Sequence, residues 1–170
     1  MKRGRVNALT YISLCVAIMA ALAQVAIPIG AVPLTIQVFT VALIGYFLGA
    51  KNGAVTVITY VLLGLVGVPV FANFQGGLHT LIGYTGGFIF GYLPFAILCG
   101  IKGKGYQKIA LGILGLLVCH IFGIVQYMCL SSLSFHLAFI AVSLPYILKD
   151  VILVICAYFV SETLVKRLKK

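Results

Sequence analysis

Acidic side chains are almost missing from this sequence: of 170 residues only Asp150 and Glu162 carry a carboxylate, and tryptophan is absent. Charged residues make up 8% of the chain and hydrophobic ones 63%. Ordinary soluble domains carry about 25% charge, so too few charges remain here to tile a water-facing surface, and a soluble globular domain is excluded. The net charge of +10 does not point to nucleic acid, because the basic residues stand in short clusters between apolar runs and form no continuous basic face. A P-loop, an H-E-x-x-H pair and C-x-x-C spacing are also lacking, so ATP hydrolysis by that route, a metal site and a redox site are not written into the chain. Cys15, Cys99, Cys119, Cys129 and Cys156 all fall within or at the edges of apolar runs and read as free thiols serving as small apolar side chains.

What is present is a succession of apolar runs. A membrane-crossing helix needs roughly 20 mostly apolar residues, since the hydrocarbon layer is about 30 Å thick and a helix rises about 1.5 Å per residue. Six runs qualify or come close, at 7–27, 34–50, 54–68, 81–101, 109–130 and 144–164, with Lys51-Asn52-Gly53 as the turn of a tight helical hairpin between the second and third. The expected architecture is a single all-α membrane domain over 1–170, with six transmembrane helices in a compact bundle. Basic residues resist translocation. With six spans, Lys2, Arg3, Arg5, Lys51, Lys102, Lys104, Lys108, Lys166, Arg167, Lys169 and Lys170 collect on one side, which is therefore cytoplasmic and holds both termini. Lys149 alone is left outside. A cleaved signal peptide is the competing reading of the first run, with Ala21-Leu22-Ala23 as a small-residue site, but that run is longer than the roughly 7 to 15 residues of a signal core.

The outer loops are unequal. The first, Pro28 to Gln37, has Pro28 and Pro33 fixing the backbone and Thr35 and Gln37 close behind. The second joins Phe71, Asn73, Phe74, Gln75 and Gly77 to His79, Tyr84 and Thr85, a mixture of aromatic faces, amides that both donate and accept, and glycines that admit close approach. That composition suits the cap of a small-molecule site, and equally a loop dipping into the membrane interface. The third, 131–143, is plain. Asp150 favours a site: an ionisable group at membrane depth costs roughly 3 kcal/mol on insertion scales and is by default functional. It follows Pro145 at a helix start, where the dipole eases a carboxylate. Its neighbour Lys149 is expected to address a different partner, because consecutive helical residues do not share a face. The alternative for this pair is a solvated couple at the helix mouth. Glu162 reads as the partner of Lys166 on the same helix.

Small residues four apart, Ala17 and Ala21, then Gly45, Gly49 and Gly53, then Gly83, Gly87 and Gly91, form ridges that let helices pack closely in lipid, or let a surface helix dock on another membrane protein. His79, His120 and His136 are too scattered for a ligand set and take structural roles, although His120, Gln126 and Tyr127 in the fifth run are placed to line a cavity.

These residues resemble a known family. Val32-Pro33-Leu34-Thr35-Ile36-Gln37, Leu43-Ile44-Gly45-Tyr46-Phe47-Leu48-Gly49, Gly67-Val68-Pro69-Val70-Phe71-Ala72, Thr85-Gly86-Gly87-Phe88 with Gly91, and Pro145-Tyr146 with Asp150 occur in the order seen in the BioY family, the biotin-binding substrate (S) components of energy-coupling-factor (ECF) transporters. The resemblance implies six helices, both termini cytoplasmic, in a prokaryotic plasma membrane. It also implies capture of biotin at the outer face, with a transmembrane coupling protein and two ATPase subunits as partners; ATP is used by those subunits, and no cofactor by this chain. Carried over residue by residue, it gives Thr35, Gln37, Phe71, Asn73, Thr85 and Asp150 as substrate contacts, to which the loop and helix reading adds Gly77, Tyr84, Gln126 and Lys149. Ala17 and Ala21 match its coupling-protein contact. One departure stands out: the family often has Lys three residues after this Asp, where Leu153 stands here, and Lys149 lies about 100° around the helix from Asp150. Phe71 and Phe74 suit the fused rings of biotin, Asp150 its ureido N–H groups, Asn73 or Gln37 its ureido carbonyl and Lys149 its carboxylate. Two rivals stand beside this reading, an S component for riboflavin or thiamine, and an intramembrane enzyme using Asp150 or a histidine.

Overall fold

The computed structural model describes residues 2–30 and 32–168, with side chains described from Ala8 onward; the side chains of Lys2, Arg3 and Arg5, and Ala31, Lys169 and Lys170 altogether, lie outside the described residues. The helices are α1 (Lys2–Ala23), α2 (Gln37–Leu65), α3 (Leu78–Ile82), α4 (Gly86–Cys99), α5 (Gly105–Ser131), α6 (Phe135–Val142) and α7 (Leu144–Leu168). Between α1 and α2 a small antiparallel clip pairs β1 (Ala26–Ile27) with β2 (Leu34–Thr35), setting Ala26 opposite Thr35. A helix satisfies its own backbone polar groups, the condition for a chain in hydrocarbon, and α5 and α7 are long and apolar enough to cross a membrane unbroken.

The 29 residues of α2 are two antiparallel arms, 37–48 and 50–65. Gly49, at φ 77° and ψ 168°, occupies backbone space essentially reserved for glycine, and the chain reverses there. Gln37 Nε2 donates to the Tyr60 hydroxyl at 2.8 Å, although these residues would lie about 35 Å apart along a straight helix. The hairpin expected from the sequence is therefore present, with its turn at Gly49; Lys51, Asn52 and Gly53 already belong to the second arm. The run 81–101 is likewise divided, because the helix stops at Ile82 and restarts at Gly86. The loop that reads as plain contains α6, whose Ala138 and Val142 are fully buried.

The two arms of α2 form the centre of the bundle, with α1, α4 and α7 packed against them and α5 against α4. Met19, Val41, Val57, Phe95, Leu116 and Val154, drawn from α1, α2, α4, α5 and α7, are fully buried in one core. The packing depends on missing side chains: a Cβ on Gly45 would stand 2.6 Å from both the Ala96 carbonyl oxygen and the Cys99 Cβ, so the first arm of α2 lies directly on α4. Gly45, Gly53, Gly87 and Gly91 thus sit in seams within the molecule, whereas Ala17 and Ala21 are exposed on α1 among exposed Leu14 and Ile18. At the far end of the bundle from the β clip, Ala50 N donates to Gly100 O at 3.1 Å and Lys108 Nζ meets Glu162 Oε1 at 2.8 Å. Glu162, expected to pair with Lys166 along its own helix, therefore reaches across to α5.

The position of the turn is testable. Gly49→Ala must hold an alanine at positive φ and should lower stability by about 1 to 3 kcal/mol, whereas Gly53→Ala, whose new methyl meets the Gly45 Cα at 3.4 Å, should change it by no more than about 0.5 kcal/mol. Thermal unfolding in detergent compares the two, and equal losses would place the turn at 51–53 instead.

Candidate functional site

A cavity of about 390 Å³ opens between loop one, loop two and the ends of α2, α4, α5 and α7 on the β-clip side. Its size falls in the usual range for a small-molecule site, roughly 300 to 1,000 Å³. Of the residues expected in a site, Thr35, Gln37, Phe71, Asn73, Tyr84, Thr85, Lys149 and Asp150 line it. Gly77 and Gln126 do not. Gly77 begins α3, and its N–H donates to Gly64 O at 2.6 Å. Gln126 Nε2 donates to Leu81 O at 2.8 Å and Gly83 O at 2.6 Å, satisfying carbonyls freed where α3 breaks from α4.

Aromatic side chains build the walls. Phe71 is buried edge-on to Tyr60, with ring centroids 5.5 Å apart, and its ring occupies the space a side chain on Gly64 would need. Tyr60 also links the walls: it accepts from Gln37 Nε2 and donates to Val70 O at 2.9 Å, so α2 fixes the start of loop two. Loop two then folds on itself, with Phe71 N donating to Gln75 O at 2.9 Å, and Asn73 and Phe74 both hold positive φ, 58° and 57°. This tight turn sends Phe74 outward, 72% exposed and away from the cavity, so of the two phenylalanines only Phe71 faces it. Gln24, which sequence reasoning passed over, clasps the loop by accepting from Phe74 N at 2.8 Å and donating to Ala20 O at 3.0 Å.

The polar centre of the cavity is Asp150, 3% exposed. It lies six residues into α7, about 9 Å along the axis, beyond the first turn over which a helix dipole acts. Its stabilisation therefore comes from side chains. Lys149 Nζ stands 2.7 Å from Oδ1, and His120 Nε2 stands 3.3 Å from Oδ2. The expectation that Lys149 and Asp150 address different partners is overturned: although the two Cα–Cβ bonds diverge, the long lysine stem curls back over the cavity wall, because a nearly buried carboxylate costs several kcal/mol unless paired. The same ammonium donates to Thr35 O at 2.6 Å, and Tyr146 Oη donates to Val32 O at 2.7 Å and Ile29 O at 3.1 Å. Loop one is thereby fastened to α7 at three carbonyls. His120, read from the sequence as structural or as lining a cavity, is buried in the cavity wall and bonded through Nδ1 to Ser143 Oγ at 2.8 Å. His79 also lines the cavity.

Compared with known families, the chain matches the BioY family over residues 1–170. The chain belongs to the BioY family. Among its relatives, it is 38% identical to a protein of Pyrococcus horikoshii named a probable biotin transporter BioY, over 90% of this chain and 93% of that one. It is 31% identical to the biotin transporter BioY2 of Lactococcus lactis subsp. cremoris, over 99% and 95%. Its fold matches a 2.1 Å crystal structure described as the S-component for biotin from an ECF-type ABC transporter, with a TM-score of 0.91 at 24% identity, covering 98% of this chain and 94% of that one. Family membership and the apolar helices make this BioY chain a multi-pass protein of a prokaryotic cell membrane.

The fastening of loop one gives a direct test. Tyr146→Phe keeps the ring but removes the shared hydroxyl donor, and should speed amide hydrogen exchange across residues 29–35 about tenfold, as expected for the loss of about 1.4 kcal/mol of hydrogen bonding. Exchange identical to that of the unaltered chain would mean that Lys149 holds the loop by itself.

Proposed function

We propose that this chain is the biotin-binding S component of an ECF transporter, a transport subunit and not an enzyme, which captures biotin at the outer membrane face and delivers it inward with a transmembrane coupling protein and two ATPase subunits. The observation that carries the reading is the cavity itself: aromatic walls around one buried carboxylate that is neutralised within the site, a match for a compact bicycle bearing a ureido group. The names of the relatives and the shared fold support it. In this reading the six spans are α1, the two arms of α2, α4, α5 and α7, with α3 and α6 as short helices around the pocket. Lys51 follows the hairpin turn, and Lys102 and Lys104 lie between α4 and α5, all at the end away from the cavity, which supports a cytoplasmic placement of that end and of both termini. Ala17 and Ala21, exposed on α1, offer a close-packing face to the coupling protein.

The 2.7 Å between Lys149 and Asp150 constrains how biotin lies. Its ureido group and its carboxylate are separated by the fused rings and the whole valerate chain, so two side chains in contact serve one end only. The ureido head belongs at Asp150, where a buried acceptor meets its N–H donors. The carboxylate then lies at the exposed rim formed by Asn73, Gln75 and His79, where its hydration is kept. Lys149 compensates Asp150 rather than gripping the tail.

Calorimetry on the purified chain tests both steps. Biotin should bind in preference to riboflavin and thiamine, and Asp150→Ala should weaken it by about 1.5 to 3 kcal/mol, the worth of a charged hydrogen bond. A biotin whose carboxyl is amidated should bind the unaltered chain nearly as well as biotin. Strong preference for riboflavin or thiamine would replace the substrate, and loss of binding on amidation would return Lys149 to the tail.

A further inference from the structure

Asp150 is held by two groups of different stiffness. Lys149 is a flexible side chain, 29% exposed, that also serves Thr35 O of loop one. His120 is the opposite, a ring 5% exposed whose every edge is committed. Phe88 packs edge-on against it, with centroids 5.7 Å apart and planes at 87°, and Phe88 is itself seated where a side chain on Gly123 would be. Ser143 Oγ lies 2.8 Å from Nδ1, and Ser143 is fully buried at the junction of α6 and α7. The protons follow from chemistry. Nε2 faces Oδ2 at 3.3 Å as a close contact, and Oδ1 is buried without a hydrogen-bond partner of its own among the described residues; opposite a carboxylate, which only accepts, Nε2 is the nitrogen that carries the proton of a singly protonated ring, which leaves Nδ1 to accept from the Ser143 hydroxyl.

We propose that His120 is a positioning residue for substrate: anchored at Nδ1 by Ser143 and facing Oδ2 with Nε2, it fixes the plane of the Asp150 carboxylate, so that Oδ1, which has no hydrogen-bond partner among the described residues, is offered to the donors of the ligand. This rests on the biotin reading for the identity of those donors, and on the geometry alone for the positioning. The role falls to His120 because it is the rigid member. An ammonium on a four-carbon stem can neutralise a carboxylate in many orientations, whereas a clamped ring with one N–H selects one. It also gives α6 a part in binding, since Ser143, the C-cap of that helix, anchors the ring.

The groups that face His120 and Asp150 from neighbouring elements are Lys149 and Tyr146 of α7, Cys119 of α5, and Tyr92 of α4. Substituting His120 leaves all of them in place. His120→Phe preserves the ring and removes the donor, and should weaken biotin binding about tenfold or more; His120→Gln, which returns an N–H donor without a titrating ring, should recover binding to within about threefold of the unaltered chain. A role in packing alone predicts the reverse order, with Phe tolerated and Gln not. Independently of any ligand, nitrogen chemical shifts of the histidine-labelled chain in detergent should show His120 as the Nε2–H tautomer, and Asp150→Ala, which removes the acceptor opposite Nε2, should mix the two tautomers. Biotin binding by His120→Phe equal to that of the unaltered chain, or an Nδ1–H tautomer in the unaltered chain, would overturn the proposal. Failure of the unaltered chain to bind biotin, with the Nε2–H tautomer present and lost on Asp150→Ala, would instead refute the choice of ligand and leave the positioning role standing.

Discussion

One nearly buried carboxylate organises this molecule. Removing an anion from water is costly, and the cost is recovered only when opposite charge and hydrogen bonds surround it. Asp150 has two close polar neighbours, a lysine from its own helix and a histidine from α5, and the lysine ties it on to the backbone of loop one, while Oδ1 keeps no hydrogen-bond partner of its own among the described residues. Each of these partners is itself tied to something else, so the carboxylate connects α5, α6, α7 and loop one in a single network. An apolar residue at this position would relieve the desolvation and leave the bundle core unchanged, because the core of Met19, Val41, Phe95 and Val154 is built without it. The carboxylate is better understood through what it offers to the cavity.

Around that network the cavity has a stiff side and a soft side. The stiff side is helical and closely packed, with Phe88 of α4 seated on Gly123 of α5. The soft side is loops one and two, fastened by a small number of hydrogen bonds: Tyr146 and Lys149 for the first, Gln24 and Tyr60 for the second. Segments held by few bonds and little apolar burial open at low free energy relative to the fold. A ligand can therefore enter by loosening the loops while the wall that recognises it stays in register, and the lysine that neutralises Asp150 is also one of the bonds that hold loop one down.

Much of this was legible in the sequence because lipid imposes a simple code. Apolar length located the helices, and sparse charge made Asp150 conspicuous. The helical hairpin of α2 was legible too, but its turn was displaced, since Lys51-Asn52-Gly53 has turn composition while the backbone conformation that only glycine adopts is needed at Gly49. The Lys149–Asp150 contact was missed because helical spacing describes where side chains leave the backbone, and a lysine stem is long enough to cancel it. His120 and Ser143 come from different helices, 23 residues apart, and no local pattern announces that they meet. Gln24 was missed for the same reason: an amide at the end of α1 gives no hint that it will clasp loop two.

The pairing of Asp150 with Lys149 also bears on transport. If the bundle reorients in the membrane to present its pocket inward, as proposed for its coupling to ATPase subunits, any net charge in the pocket would have to be carried through a region of low dielectric. A lone carboxylate would face a Born cost of many kcal/mol at ε near 4, whereas two opposite charges in contact travel as a dipole, whose field falls off faster and whose solvation cost is correspondingly smaller. Apart from the polar rim of Asn73, Gln75 and His79, the exposed surface beside the pocket includes Val25, Ile27 and Ile29 near loop one and Leu144 and Leu148 on α7, and the chain lacks the tryptophans that anchor helices at the interface. A pocket that is neutral as a whole is compatible both with recognition of a polar head group and with movement of the bundle relative to the bilayer.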